Sequence, residues 1–267
     1  MVFSCTTQGQ INYGSNKGKF ISINGTKIYY EEYGKGIPLL MLHCGLGDIS
    51  DFEKVIPNLS KKFRVIIPDA PGLGRSEYAS SLLSYQLLAN YNSKFIDKLK
   101  LDSLYVIGWS DGANTALILA KSRPEKVKKL IISGANYKLS GFTNEAFEEC
   151  KQITDTSYVK KELKGWIKHY QKLSSKDWTR YISEIGQMWF KEEYFPKSDL
   201  EAIKIPTLII YGDRDMYTLE HGIEIRNAIS NSQFCVIPNC SHEVFREKPK
   251  LFLELAQIFL SEKTTEK

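Results

Sequence analysis

The chain has 267 residues, 42% hydrophobic and 25% charged, enough apolar material for a large core; this excludes a disordered chain or a small disulfide-held scaffold. The net charge of +5 comes from scattered basic residues, with only short lysine pairs such as Lys61-Lys62, Lys128-Lys129 and Lys160-Lys161, so nucleic acid is not expected as a partner. Five cysteines (Cys5, Cys44, Cys150, Cys235, Cys240) show no CxxC pair and no framework spacing, and no metal or other cofactor is expected.

The start, MVFSCTTQGQINYGSNKG, is polar and lacks the apolar region of a signal peptide, so residues 1–18 read as a leader on a cytoplasmic protein. VFSC also resembles the cleavage box of a bacterial lipoprotein. A signal sequence upstream of Met1 would make Cys5 the lipid-bearing residue. No apolar run reaches the length of a membrane span.

KFISINGTKIYYEEYG reads as two strands joined by Asn24-Gly25, a strong hairpin signal. Apolar runs at Ile37–His43, Phe63–Asp69, Ser103–Trp109, Val127–Gly134, Ile205–Gly212 and Gln233–Pro238 read as strands buried on both faces. Helical patterns over Tyr85–Leu99, Asp111–Lys121, Leu219–Ile229 and Val244–Leu260 fall between them. Strand and helix in alternation predict an α/β protein, a mostly parallel twisted sheet with helices on both faces. From Tyr137 to Leu200 no strand signal appears, and the segment is rich in charge and aromatics. It is expected to form a helical cap (137–200) over a core built from 19–136 and 201–262.

Gly108-Trp109-Ser110-Asp111-Gly112 sits between a strand and a helix. This is the pattern of a nucleophile elbow, in which a serine on a strained bend needs small neighbours two residues away. The helix that begins just after Ser110 aims its amide groups at developing negative charge. A serine hydroxyl needs a base and an orienting acid, expected in the order Ser, acid, His. His242 follows the last strand. Asp215 follows the strand before it, with Asp213 as the reserve. For an oxyanion the donors expected are the amides of Asp111 and of Gly45, with Cys44 as the alternative to Gly45. Around this site Asp48, Trp109, Trp166 and Trp189 are expected to contact substrate.

These features resemble the α/β-hydrolase superfamily. The carriers are LLMLHCGLGD, PDAPGLGRS, GWSDGA, YGDRD and CSH, spread from about Phe20 to Leu260. The resemblance implies an eight-stranded sheet whose second strand is antiparallel, a helical cap inserted after the sixth strand, and a triad of Ser110, Asp215 and His242. GWSDGANTALILA looks most like the biphenyl-hydrolase-like group that includes valacyclovir hydrolase, in which the acid after the nucleophile binds a substrate amino group. Two positions depart from the pattern: His43-Cys44 stands where the family usually has His-Gly, and Ala70 stands where many relatives carry arginine or leucine. The expected activity is hydrolysis of a small to medium carboxylic ester, amino-acid esters included, through an acyl-enzyme on Ser110. A triad-bearing ligand receptor of slow turnover, and a lyase or cofactor-free peroxidase, remain the alternatives.

Overall fold

The computed structural model describes residue 14 and residues 18–262; Cys5 and most of the leader lie outside the described residues. Eight strands form one sheet: β1 (Lys19–Ile23), β2 (Thr26–Tyr33), β3 (Ile37–Leu42), β4 (Phe63–Pro68), β5 (Leu104–Trp109), β6 (Val127–Ser133), β7 (Thr207–Arg214) and β8 (Ser232–Ser241). Their order is β1-β2-β4-β3-β5-β6-β7-β8. β2 runs antiparallel to both its neighbours, β1 and β4, and every later pairing is parallel. Asn24 and Gly25 both have positive φ (51° and 83°) and close β1 onto β2 as a two-residue hairpin, with Ile23 opposite Thr26.

The helices are α1 (Ile56–Leu59), α2 (Tyr85–Lys98), α3 (Asp111–Ser122), α4 (Asn144–Ile153), α5 (Thr156–Glu162), α6 (Lys164–Leu173), α7 (Trp178–Trp189), α8 (Lys197–Glu201), α9 (Leu219–Ala228), α10 (Val244–Glu247) and α11 (Pro249–Ser261). The continuous apolar strands divide by alternation. Leu40, Leu42, Ile66 and Val106 face the layer of α2, α3 and α9, whereas Leu39, Met41, Val65 and Ile107 face α10, α11 and a short 3-10 turn at Ile49–Phe52. Both faces are therefore dry, which is why these strands carry no polar alternation. Among the described residues no helix is long and apolar enough to cross a membrane.

Three elements differ from the sequence reading. The single helix expected over Val244–Leu260 is two, broken at Lys248, whose φ of −127° and ψ of 44° leave the helical region. Pro249 accounts for the break: it has no N–H for the first helix and disfavours the α conformation in the residue before it, yet it suits the first position of α11. β8 continues past Pro238 to Ser241, because an edge strand tolerates a missing N–H on its outer side. The link between β3 and β4, read as a loop, holds the 3-10 turn and α1; both are too short to show a period.

Between β6 and β7 the chain forms α4–α8. Three of these helices lead with a side-chain cap: Thr143 accepts from Ala146 N, Asp155 from Ser157 N and Asp177 from Thr179 N, while α8 starts at Pro196 without one. α8 packs toward the core, where Asp199 pairs with Lys121 of α3 at 3.0 Å. α6 and α7 reach the loop after β3 through Trp166 to Leu46 O and Tyr181 to Gly45 O, at the carboxyl end of the sheet, where open α/β sheets place their ligands.

Candidate active site

Ser110 ends β5 and opens α3. Its backbone has φ 56° and ψ −120°, a conformation that costs a side-chain-bearing residue about 1–3 kcal/mol. The two flanking glycines explain how the bend fits. A Cβ on Gly108 would lie 2.5 Å from Gly112 O and 2.6 Å from Ala113 Cα, inside the new helix. A Cβ on Gly112 would lie 2.1 Å from Leu42 O, inside the end of β3. Each glycine thus answers a different neighbour, one the helix and one the adjoining strand. Ser110 N donates to Ser133 O at 2.9 Å, which ties the bend to β6.

His242 follows β8. Its Nδ1 lies 2.8 Å from Asp215 Oδ1, and the Asp215 carboxyl is fully enclosed and also accepts from Tyr217 N and Gly212 N. The carboxylate accepts, so Nδ1 carries the proton and Nε2 keeps its lone pair. Nε2 is buried and has no hydrogen-bond partner among the described residues. Burial opposes a charge on the imidazole, the Asp215 carboxylate favours it, and the balance raises the His242 pKa above the ordinary 6.5. Asp213, the reserve acid, is exposed and instead accepts from Cys240 N, which fastens β8 to β7.

Two residues connect Ser110 to His242. Trp109, just before the serine, donates its indole N–H to His242 O at 2.9 Å. Gly134, just after the strand residue that holds Ser110 N, packs so closely that a Cβ there would lie 2.4 Å from His242 Cε1. Gly134 has φ +56° as well, so both its conformation and its bareness are used. The sequence reading gave Gly134 no role beyond ending a strand.

On the other side of Ser110 lies the loop after β3. His43 accepts from Ala70 N at Nε2 and so presents Nδ1–H to Cys44 O at 2.8 Å, fixing the loop's shape. Gly45 lies against Asp111: a Cβ on Gly45 would fall 2.0 Å from Asp111 Oδ2. The two residues expected to supply oxyanion donors are therefore neighbours in space. The Cys44 side chain turns toward Asp51, 3.4 Å away, and burial pushes its thiol pKa well up. Asp111 is buried; its Oδ1 accepts from Tyr85 OH at 2.6 Å and its Oδ2 from Trp189 Nε1 at 2.8 Å. Burial raises its pKa, and the two hydrogen bonds offset only part of that rise.

The other residues expected at the substrate have different places. Trp109 is 0% exposed and packs against Phe52 and Phe245 on the sheet's far face, because the last residue of β5 points away from α3. Asp48 caps the 3-10 turn through Ser50 N and meets His169 of α6 at 2.5 Å. Burial pushes the Asp48 carboxyl up, but the hydrogen bonds from His169 and Ser50 outweigh it and hold it at about 2. Trp166 donates to Leu46 O at 2.7 Å, and its role there is to seat α6 on the β3 loop. Trp189 alone of the three tryptophans meets a group beside Ser110, through Asp111.

The comparisons with known proteins agree with this architecture. The family model for the alpha/beta hydrolase fold matches residues 37–249. This chain belongs to that family. It is a hydrolase of the α/β fold. It is 22% identical to a 2-hydroxy-6-oxo-6-(2'-aminophenyl)hexa-2,4-dienoic acid hydrolase of Metapseudomonas resinovorans, covering 91% of this chain and 90% of the relative. It is 24% identical to the serine hydrolase BPHL of Mus musculus, covering 90% of this chain and 85% of the relative. Among solved structures, the enol-lactonase from Burkholderia xenovorans LB400 superposes with a TM-score of 0.73 at 20% identity, over 91% of this chain and 100% of that one.

Proposed function

We propose that this protein hydrolyses small to medium carboxylic esters through an acyl-enzyme on Ser110. Two observations support this most: a strained serine at a helix N-terminus, and an Asp215-held imidazole whose Nε2 has no partner among the described residues. In the reaction Ser110 Oγ attacks the ester carbonyl carbon and its proton passes to His242 Nε2. The amides of Gly45 and Asp111 hold the oxyanion. As the carbon–oxygen bond to the alcohol breaks, His242 returns the proton to the alcohol oxygen. Water then adds to the acyl-enzyme, the carboxylic acid leaves, and Ser110 regains its proton. The helices of 137–200 act as the cap, with Trp189 and Asp111 facing each other across the site.

Charge separates this reading from the acidic substrates named for some relatives. A dienoic acid carries a carboxylate, but the carboxyl beside Ser110 is Asp111, and the opening beside the inserted helices carries Glu192 and Glu193 against Lys138, which is itself paired with Glu224. A neutral ester, or one bearing an ammonium group, suits that field better. An amino-acid ester is favoured by one further observation: Asp111 is buried and held by two neutral donors. A substrate ammonium would supply the missing counter-charge.

Turnover on p-nitrophenyl esters, in wild type and Ser110→Ala, tests the main reading. Hydrolysis in wild type that Ser110→Ala abolishes is expected; equal rates in both, or negligible turnover by the wild type, would contradict it and favour a receptor. An aminoacyl ester compared with its des-amino analogue tests the finer one. Wild type should prefer the amino form, and Asp111→Asn should lose the preference. An equal preference in both proteins removes the amino-acid assignment.

A further inference from the structure

A partly open void of about 40 Å³ lies beneath the connection between β4 and α2. Leu73 and Leu83 of that connection, Leu88 and Phe95 of α2 and Leu42 of β3 form its walls, and Gly45 and Asp111 line it beside the elbow. Ser110 and His242 do not line it. Its nearby hydroxyls are engaged elsewhere: Thr115 donates to Asp111 O at 2.7 Å, and Tyr91 meets Thr26 at 2.8 Å. The lining is mainly apolar, although His43, Asp69 and Asn92 also contribute to it, and it accepts a small, largely apolar group.

Sheet order decides which apolar group. Ser110 ends β5. The loop that carries Gly45 and the void lie on the β3 and β4 side, whereas Asp215 and His242 follow β7 and β8 on the other. His242 must give its proton to the departing oxygen, so the alcohol half of the ester belongs on the β7–β8 side. The acyl chain is the other substituent on the same carbon and is directed the opposite way. On the His242 side the Tyr217 ring lies 5.5 Å from the imidazole and 4.8 Å from Phe142, which leads to an opening of about 730 Å³ bordered by Lys138, Thr143, Phe147 and Glu192.

Resting on the ester-hydrolase reading, we propose that the void is the acyl pocket and that Leu83 and Leu88 set its depth. It has room for about three water-sized groups, which corresponds to an unbranched chain of roughly two or three carbons past the carbonyl. The alcohol half lies toward the open side and is little restricted in size. The enzyme is therefore selective for short acyl groups and tolerant of the alcohol.

Two ester series test this, one with the acyl chain lengthened from acetyl to octanoyl on a fixed p-nitrophenol, the other with the alcohol enlarged on a fixed butyryl group. In wild type, kcat/KM should fall about tenfold or more from butyryl to octanoyl, since methylenes that outgrow the leucine-lined pocket fit poorly, and should change little along the alcohol series. Leu83→Phe should lower the butyryl-to-acetyl ratio about tenfold, and Leu83→Ala should raise the hexanoyl-to-butyryl ratio by a similar factor; Phe95→Leu, assayed alongside, enlarges the same void from α2 should the loop variants fold poorly. Octanoyl and acetyl esters cleaved alike, or variants that move the alcohol series and leave the acyl series in place, would overturn the assignment while leaving the ester reading intact. Failure of folded wild type to cleave any ester in either series would instead remove that reading, and the acyl pocket with it.

Discussion

The sheet core and the inserted helices hold their functional residues in opposite ways. In the core, backbone geometry does the positioning: Gly108, Gly112 and Gly134 leave space that a single Cβ would fill, and Ser110 keeps a strained φ. The inserted helices are held by side-chain donors that end on main-chain oxygens. Trp166 reaches Leu46 O, Tyr181 reaches Gly45 O, Tyr170 reaches Gly72 O and Lys176 reaches Leu73 O and Gly74 O. A carbonyl is present whatever the residue, so these contacts read the shape of the core loops, while Trp189, His169 and Asp199 reach the side chains of Asp111, Asp48 and Lys121. The core is consequently intolerant at a few backbone points, while the insertion spreads its attachment over many modest bonds. That division suits chemistry in one part and selectivity in the other.

The largest effect should come from Ser110→Gly. Hydrolysis is expected to fall by about 10⁴-fold or more, yet the protein should become more stable by about 1 kcal/mol as the positive-φ strain is relieved. Chemical denaturation beside an ester assay would show both; an inactive variant of lower stability would break the claim that the core stores strain at Ser110. Gly134→Ala keeps Ser110, Asp215 and His242 in the sequence but displaces the His242 imidazole. A loss of about 100-fold in kcat with a normal circular dichroism spectrum is expected, and full activity would show that the close approach of Gly134 is not used.

The insertion should respond more gently. Trp166→Phe removes one hydrogen bond and leaves Leu46 O unpaired, costing about 1 kcal/mol; KM should change more than kcat. His169→Ala tests the weakest tie, a pair between a half-exposed imidazole and a buried carboxylate, worth under about 1 kcal/mol after solvent screening. The hydrogen bond to Asp48 raises the His169 pKa above 6.5, so its contribution is whole below that value and is lost as pH rises through the raised pKa. Asp48 is held at about 2, so its contribution is whole above 3.8 and is lost as pH falls toward 2. The stability gap between wild type and His169→Ala should therefore be widest between about pH 4 and pH 6; a gap that is flat across pH would mean that packing, not charge, holds α6.

The same division governs what the sequence discloses. Strands such as LLML and VIIP are apolar without interruption because both faces are buried, and the GxSxG run names its own constraint, so the buried strands and the elbow are legible, whereas the order of the strands in the sheet is not. Asp215 and His242 are legible because each closes a strand. Trp109 misleads: adjacency to Ser110 in the chain suggests contact with substrate, but alternation along β5 sends its ring to the opposite face. Asp48 misleads for a related reason, since a carboxylate beside a glycine loop reads as free until His169, more than a hundred residues away, is brought to it. Gly134 is silent because its importance lies in the ring of His242, which no local pattern reveals.

The most direct measurement of the central claim is the rate at which a fluorophosphonate probe labels Ser110, followed by mass spectrometry across pH. Labelling confined to Ser110, rising with pH through a midpoint above 6.5 as His242 loses its proton, and abolished in His242→Ala, is the predicted result. Labelling at another residue, or a rate on Ser110 indifferent to both pH and His242, would contradict the account.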